Sequence, residues 1–210
     1  NRGGKGGVLG MVGEVADGTQ QRNRGTFGGD TWSGGTGGDS ASRLRTLNGE
    51  VGITGPDGVR HVAQEGCYAG PGRVHVSHGG LLTAIRIHRA DYDGFGGCYI
   101  KYAQRNAMDI ATLGCAVHLK LDDAKRRIVD YRLAFGVAGP TPMRCHKTEE
   151  MVMGQEVTPA LLEAIGPSAL TEVNPRTSWR ATKEYRVPLV KELSKRATAQ
   201  AVIAAGGQEV

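Results

Sequence analysis

Aromatic residues are scarce in this chain: three Phe, two Trp and six Tyr make up 5% of its 210 residues. So few rings supply little of the stacking platform on which single-stranded nucleic acids lie. No run of ~18 apolar residues occurs, so a membrane-spanning helix is not expected. Cysteine is sparse too. Cys67, Cys98, Cys115 and Cys145 stand 31, 17 and 30 residues apart. The absence of any CxxC or CxH pair argues against a zinc or iron–sulfur site made by this chain alone. With no sign of secretion, four reduced thiols in a cytoplasmic protein are expected. Nor is the charge one-sided. The formal net charge is +5, but 26 basic residues are interspersed with 21 acidic ones, as in "KLDDAKRRIVD" at 120–130. With no recognised motif beside it, that surplus is a weak nucleic-acid signal, and no nucleic-acid partner is expected.

Glycine is what the chain has in excess, and it is unevenly placed. The first 40 residues hold 14 of the 33 glycines. Residues 1–10 show almost no apolar periodicity and read as loop. "TFGGDTWSGGTGGDS", Thr26 to Ser40, is nearly half glycine. By composition it is either a flexible linker or a backbone that must come close to a large ligand.

From Glu50 the pattern becomes regular. Val51 and Ile53, then Val59, flank Pro56-Asp57-Gly58 as in a hairpin. "LLTAIRIH" places Leu81, Thr83, Ile85 and Ile87 on one face of a strand, and "GFGGCYIKYAQR" predicts another. Leu113, Cys115, Val117, Leu119 and Leu121 alternate with small or polar residues. Val129, Tyr131, Leu133, Phe135 and Val137 do the same, which predicts an antiparallel hairpin with one face buried. After Thr148 the period turns helical. Thr158-Pro159 reads as an N-cap and first turn ahead of Leu161, Leu162 and Ile165. A long helix from Ala181 carries Tyr185, Leu189, Leu193, Ala197 and Ala201 on one side and ends at Gly206-Gly207. Pro188 should kink or weaken it. Trp179 and Arg180, just ahead of it, read as packing or capping residues. Strands first and helices after make an α+β protein, with two subdomains meeting near residue 92. None of the six histidines (His61, His75, His78, His88, His118, His146) pairs with an acid or serine at a motif spacing. No catalytic constellation and no metal site are assigned.

Three stretches carry a resemblance. "RNRGTFGGD" at 22–30, "YIKYAQRNAMDIATLGCAVHLKL" at 99–121 and "SWRATKEYRVPLVKEL" at 178–193 resemble successive signatures of the FAD-binding (medium) subunit of molybdenum hydroxylases, and "LAFGVAGPTPMRC" at 133–145 fits as well. Within that family the likeness falls on the medium subunits of bacterial xanthine dehydrogenases. The resemblance implies the latter part of a two-subdomain, PCMH-type FAD-binding domain over residues 1–91, without the family's N-terminal flavin subdomain. Residues 92–210 are then the family's C-terminal domain, an antiparallel sheet with helices. FAD is the implied cofactor of this chain. Thr26, Gly28 and Gly29 are implied to lie along it, with Asp30 where the family has asparagine. Asp39 is implied to bond sugar-like hydroxyls, and Leu82 to meet it through the backbone. Lys101 is implied to contact the cofactor, and Arg105 to set the electrostatics around the flavin ring, with Asp109 placed to hold it. The glycines then let the backbone approach a pyrophosphate.

The implied function is electron transfer from [2Fe-2S] clusters of a small partner to NAD, while a molybdopterin cofactor in a large partner hydroxylates a purine such as xanthine or hypoxanthine. A dimer of heterotrimers is the implied assembly. Two alternatives stay open: the same subunit of a carbon monoxide, aldehyde, nicotinate or aromatic hydroxylase, and a flavin-free bridging subunit.

Overall fold

The structure is a computed structural model that describes residues 19–210; the loop expected at residues 1–10 lies outside them. Three short helices open the described residues, α1 (Thr19–Arg24), α2 (Phe27–Trp32) and α3 (Asp39–Thr46). Five strands follow: β1 (Glu50–Gly55), β2 (Gly58–Ala63), β3 (Tyr68–Gly70), β4 (Arg73–Val74) and β5 (Leu81–Arg86). A 3-10 turn at Arg89–Asp91 leads into β6 (Gly96–Tyr102), β7 (Leu113–Leu121), β8 (Ile128–Gly136) and β9 (Met143–Arg144). The helices α4 (His146–Val152), α5 (Pro159–Ala169) and α6 (Lys183–Ala204) end the chain. The strands form three antiparallel sheets, ordered β2-β1-β5, β3-β4 and β6-β7-β8-β9. The class is α+β, as the sequence pattern implied.

The larger core lies between the four-stranded sheet and the C-terminal helices. Leu113, Cys115, Val117 and Leu119 of β7 and Tyr131, Leu133 and Phe135 of β8 meet Leu162 and Ile165 of α5 and Val190, Leu193, Ala197 and Ala201 of α6. Each large side chain so enclosed stabilises the fold by about 1.5–3 kcal/mol. The hairpin was expected to bury one face. It buries both, because α3 crosses the second face, against β7 and β8, with every one of its residues buried. Ala116 and His118 of β7 and Arg132 and Ala134 of β8 are covered as a result. The three-stranded sheet has a smaller core: Val51, Ile53 and Cys67, with Trp32, Tyr68, Leu82 and Ile85 partly buried around them.

Two bulges change which side chains face inward. Ile53 pairs with Leu82 but Gly52 with Ala84, so Thr83 is the extra residue of β5. Leu82 and Ile85 therefore pack inward, and Leu81, expected on the buried face, is 69% exposed. Likewise Lys120 pairs with Asp130 and Leu121 with Ile128, leaving Val129 as the extra residue. Ile128 is fully buried in its stead and Val129 is half exposed. One inserted residue reverses the facing of those beyond it.

The helical expectations mostly hold. Thr158 Oγ1 accepts from the Leu161 N–H at 3.2 Å, with Pro159 in the first turn. Helix α6 runs unbroken through Pro188. Pro188 and Glu184, whose carbonyl loses its N–H partner there, are both exposed, so water can supply the missing bond. Tyr185 is not on the buried side of α6; Arg186 is, donating to the Thr112 carbonyl at 3.1 Å and the Ser178 hydroxyl at 2.8 Å. Neither Trp179 nor Arg180 caps the helix, which Thr182 does; Trp179 is 81% exposed, and the half-buried Arg180 packs its guanidinium over the Trp179 ring.

Candidate functional site

The glycine-rich stretch folds as helix, loop, helix, not as an open linker. Thr26 is extended (φ −126°, ψ 150°) and its Oγ1 accepts from the Gly29 N–H at 2.9 Å, capping α2. Gly28 lies against β5, where an added Cβ would come within 3.2 Å of Leu82 Cδ2. Thr26, Gly28, Gly29 and Leu82 are thus gathered at one place, with Thr26 and Gly29 exposed. The loop after α2 is pinned from three sides. The Gly34 carbonyl accepts from the Gly72 N–H at 2.8 Å, and the Thr36 carbonyl from the Val137 N–H at 3.1 Å. Gly37 closes on Ile110. Gly34 has φ +65°, and a Cβ there would sit 2.8 Å from the Arg73 nitrogen, so conformation and space both require glycine.

Asp30 faces the start of α3. The N-cap of that helix is Gly38, which has no side chain to bond the first turn. Asp30 Oδ2 takes that role from ten residues away, accepting from the Ser40 N–H at 2.9 Å and the Ser40 hydroxyl at 2.5 Å. An anion there is favoured by the helix dipole. Asp39, the first residue of α3, is buried. Its Oδ1 accepts from the Tyr99 hydroxyl at 2.7 Å and its Oδ2 from Lys101 Nζ at 2.8 Å. Tyr99 and Lys101 are two residues apart on β6 and so project from the same face.

Burial pushes the Asp39 carboxyl up, against the hydrogen bonds from Lys101 and Tyr99 that favour its ionised form. Burial, with the Asp39 carboxylate behind it, also raises the Tyr99 phenol well above its ordinary range, so it stays a neutral donor. Arg43, one turn further along α3, lies over the Tyr99 ring, 5.4 Å from its centroid. Burial brings Arg43 down to about 10, still a cation at neutral pH.

Arg105 stands apart from this pair, on an exposed loop. Asp109 organises that loop by accepting from the backbone N–H groups of Gln104 at 2.7 Å and Arg105 at 3.0 Å. The Arg105 guanidinium is 3.8 Å from Asp109 and donates to the Met108 carbonyl at 2.5 Å. The structure therefore gathers Thr26, Gly28, Gly29 and Leu82 in one group and Asp30, Asp39 and Lys101 around the start of α3, with Arg105 on the neighbouring loop. Tyr99 was not singled out in the sequence, although its two-residue spacing from Lys101 marked it.

All four cysteines are free and buried, and burial raises the Cys98 thiol to about 11. His118 is buried against Phe95, ring centroids 4.6 Å apart, and is pushed down to about 4 by burial. Among the described residues no three His, Cys, Asp or Glu side chains are placed to hold a metal ion, and no helix is long and apolar enough to cross a membrane.

Two family models match this chain. Residues 10–89 match the FAD binding domain in molybdopterin dehydrogenase, and residues 98–201 the CO dehydrogenase flavoprotein C-terminal domain. The chain belongs to the family of FAD-binding domains of molybdopterin dehydrogenases. It is 41% identical to the xanthine dehydrogenase FAD-binding subunit of Escherichia coli O157:H7, over 91% of this chain and 65% of that one. It is 29% identical to the glyceraldehyde dehydrogenase medium chain of Sulfolobus acidocaldarius, over 85% of this chain and 62% of that one. The structure superposes on a carbon monoxide dehydrogenase from Hydrogenophaga pseudoflava with a TM-score of 0.87 at 25% identity, covering 93% of this chain and 67% of that one. The chain thus spans about 65% of the length of the curated xanthine dehydrogenase subunit it matches.

Proposed function

We propose that this chain holds FAD as the electron-transfer subunit of a molybdenum hydroxylase acting on a purine such as xanthine or hypoxanthine. The observation that carries this is the 41% identity to a xanthine dehydrogenase FAD-binding subunit along 91% of the chain. In this reading the protein is cytoplasmic. A large partner subunit carries the molybdopterin cofactor and a small one the [2Fe-2S] clusters, in a dimer of heterotrimers, with NAD as the electron acceptor. Residues 1–91 are the second part of the FAD-binding domain, and residues 92–210 the C-terminal domain.

The residues present suit the cofactor. The start of α2 offers Gly28 and Gly29 with no side chain in the way, Gly28 already touching Leu82. Asp39 uses one acceptor direction on each oxygen and keeps the others for hydroxyl donors. Thr26, Gly28 and Gly29 line the dinucleotide, Leu82 meets it through the backbone, and Asp30 keeps its carboxylate on α3 and away from phosphate. Lys101 and Arg105 supply positive charge. FAD, when bound, supplies the electron acceptance and hydride release; the protein supplies binding, orientation and tuning of potential.

The test is xanthine-dependent NAD⁺ reduction by the native complex containing this chain. Turnover with xanthine supports the reading. A complex that turns over only glyceraldehyde or carbon monoxide moves the chain to another branch of the family, an alternative favoured by the 29% identity to the glyceraldehyde dehydrogenase chain.

A further inference from the structure

We infer that Tyr99 is a positioning residue for FAD: its hydroxyl fixes the Asp39 carboxylate, so Tyr99 acts on the cofactor through Asp39 without touching it. This rests on the reading above in which Asp39 accepts from the cofactor's sugar-like hydroxyls.

Asp39 begins α3 directly after a glycine-rich loop, and Gly38 lends it no side-chain cap. Its carboxylate could rotate toward Lys101 alone, whose ammonium sits on a flexible stem and offers no preferred direction. The Tyr99 hydroxyl removes that freedom. At 2.7 Å it takes one lone pair of Oδ1, while Lys101 at 2.8 Å takes one of Oδ2, so the remaining lone pairs are left in a set direction. The ring is itself held: Arg43 covers one face at 5.4 Å. Across the sheet, Gly114 leaves the space that the hydroxyl fills, since a Cβ on Gly114 would come within 2.7 Å of it. The charged and titratable groups around Asp39 are Lys101 and Tyr99 from β6, Asp30 from α2, and Arg43 on its own helix beyond the Tyr99 ring. Asp30 disfavours the Asp39 charge, whereas Lys101 and Tyr99 favour it. Tyr99→Phe removes one of the two donors to Asp39, together with the hydroxyl's contact with Ser42.

The experiment uses the whole protein with its partner chains. FAD is stripped and titrated back, followed by flavin fluorescence, between about pH 5 and 8. Tyr99→Phe is expected to weaken FAD about tenfold at the upper end. It is also expected to move the acid midpoint of FAD release to higher pH, because the ionised carboxylate has lost a donor. Gly114→Ala, which displaces the hydroxyl while keeping the tyrosine, shifts both in the same direction and carries the test should Tyr99→Phe fail to fold. Asp39→Asn is the reference. If Asp39→Asn weakens FAD but Tyr99→Phe keeps wild-type affinity and midpoint, the inference is overturned and the cofactor reading stands. A weaker Tyr99→Phe with an unmoved midpoint also overturns it, since packing alone gives that result. If Asp39→Asn leaves FAD affinity unchanged, the role of Asp39 fails and the inference with it.

Discussion

The two larger sheets are built of the same antiparallel elements but are closed very differently. The β6–β9 sheet is covered on one face by α6 and α4, with α5 packed on both helices, and on the other by α3, and the large core is centred on it. Among the described residues, the β2-β1-β5 sheet fully encloses Val51, Ile53 and Cys67, and β2 shows almost every residue to solvent. The first is a finished core. The second is a small core, and the candidate site lies at the join, where α3 leaves the glycine loop to cover the larger sheet.

The sharpest way to break this contrast is to empty both cores. Leu133→Ala, at the centre of the two-sided sheet, is expected to cost about 4–5 kcal/mol, and Ile53→Ala in the small cluster about 2, read from urea denaturation. Equal costs would remove the distinction. Lys101→Ala tests the join itself. It leaves Asp39 buried with only the Tyr99 donor, which is expected to cost about 3 kcal/mol of stability and to weaken FAD retention while partner chains still assemble. Full stability with full FAD would show that the ion pair holds nothing.

His118 gives a pH-dependent comparison. Its folded value of about 4 lies below the ordinary value near 6.5. The contribution of the neutral ring is therefore complete above about pH 6.5 and is lost as pH falls toward 4, about 3 kcal/mol in all. Urea midpoints across that window should fall with acid in the wild type and flatten in His118→Leu; parallel slopes would contradict this. The smallest effect is expected from Asp30→Ala, which removes the remote cap of α3 and costs about 1 kcal/mol by the same measurement. No change would mean that Asp30 does not anchor the helix.

How much of this was legible in the sequence depended on range. The alternation through β7 and β8 was visible because a period of two survives in composition. The bulges at Thr83 and Val129 were not, because one extra residue leaves the same apolar letters in place and changes only which of them face inward. The second buried face of the hairpin was hidden for a different reason: what covers it, α3, comes from about 70 residues earlier and carries small and basic residues instead of an apolar stripe. At the site, Thr26, Gly28 and Gly29 were marked as candidates by local glycine chemistry and resemblance. That Asp30 caps a helix ten residues on, and that Asp39 and Lys101 meet across 62 positions, needed the tertiary structure.

The most direct measurement is the flavin content of the native complex. Its cofactors are released with acid, and the flavin is identified and counted by chromatography against the amount of this chain. FAD at one per chain, beside iron and a pterin, is the expected result. Iron and pterin without flavin would contradict it and leave the glycine-rich segment a structural link between the two sheets.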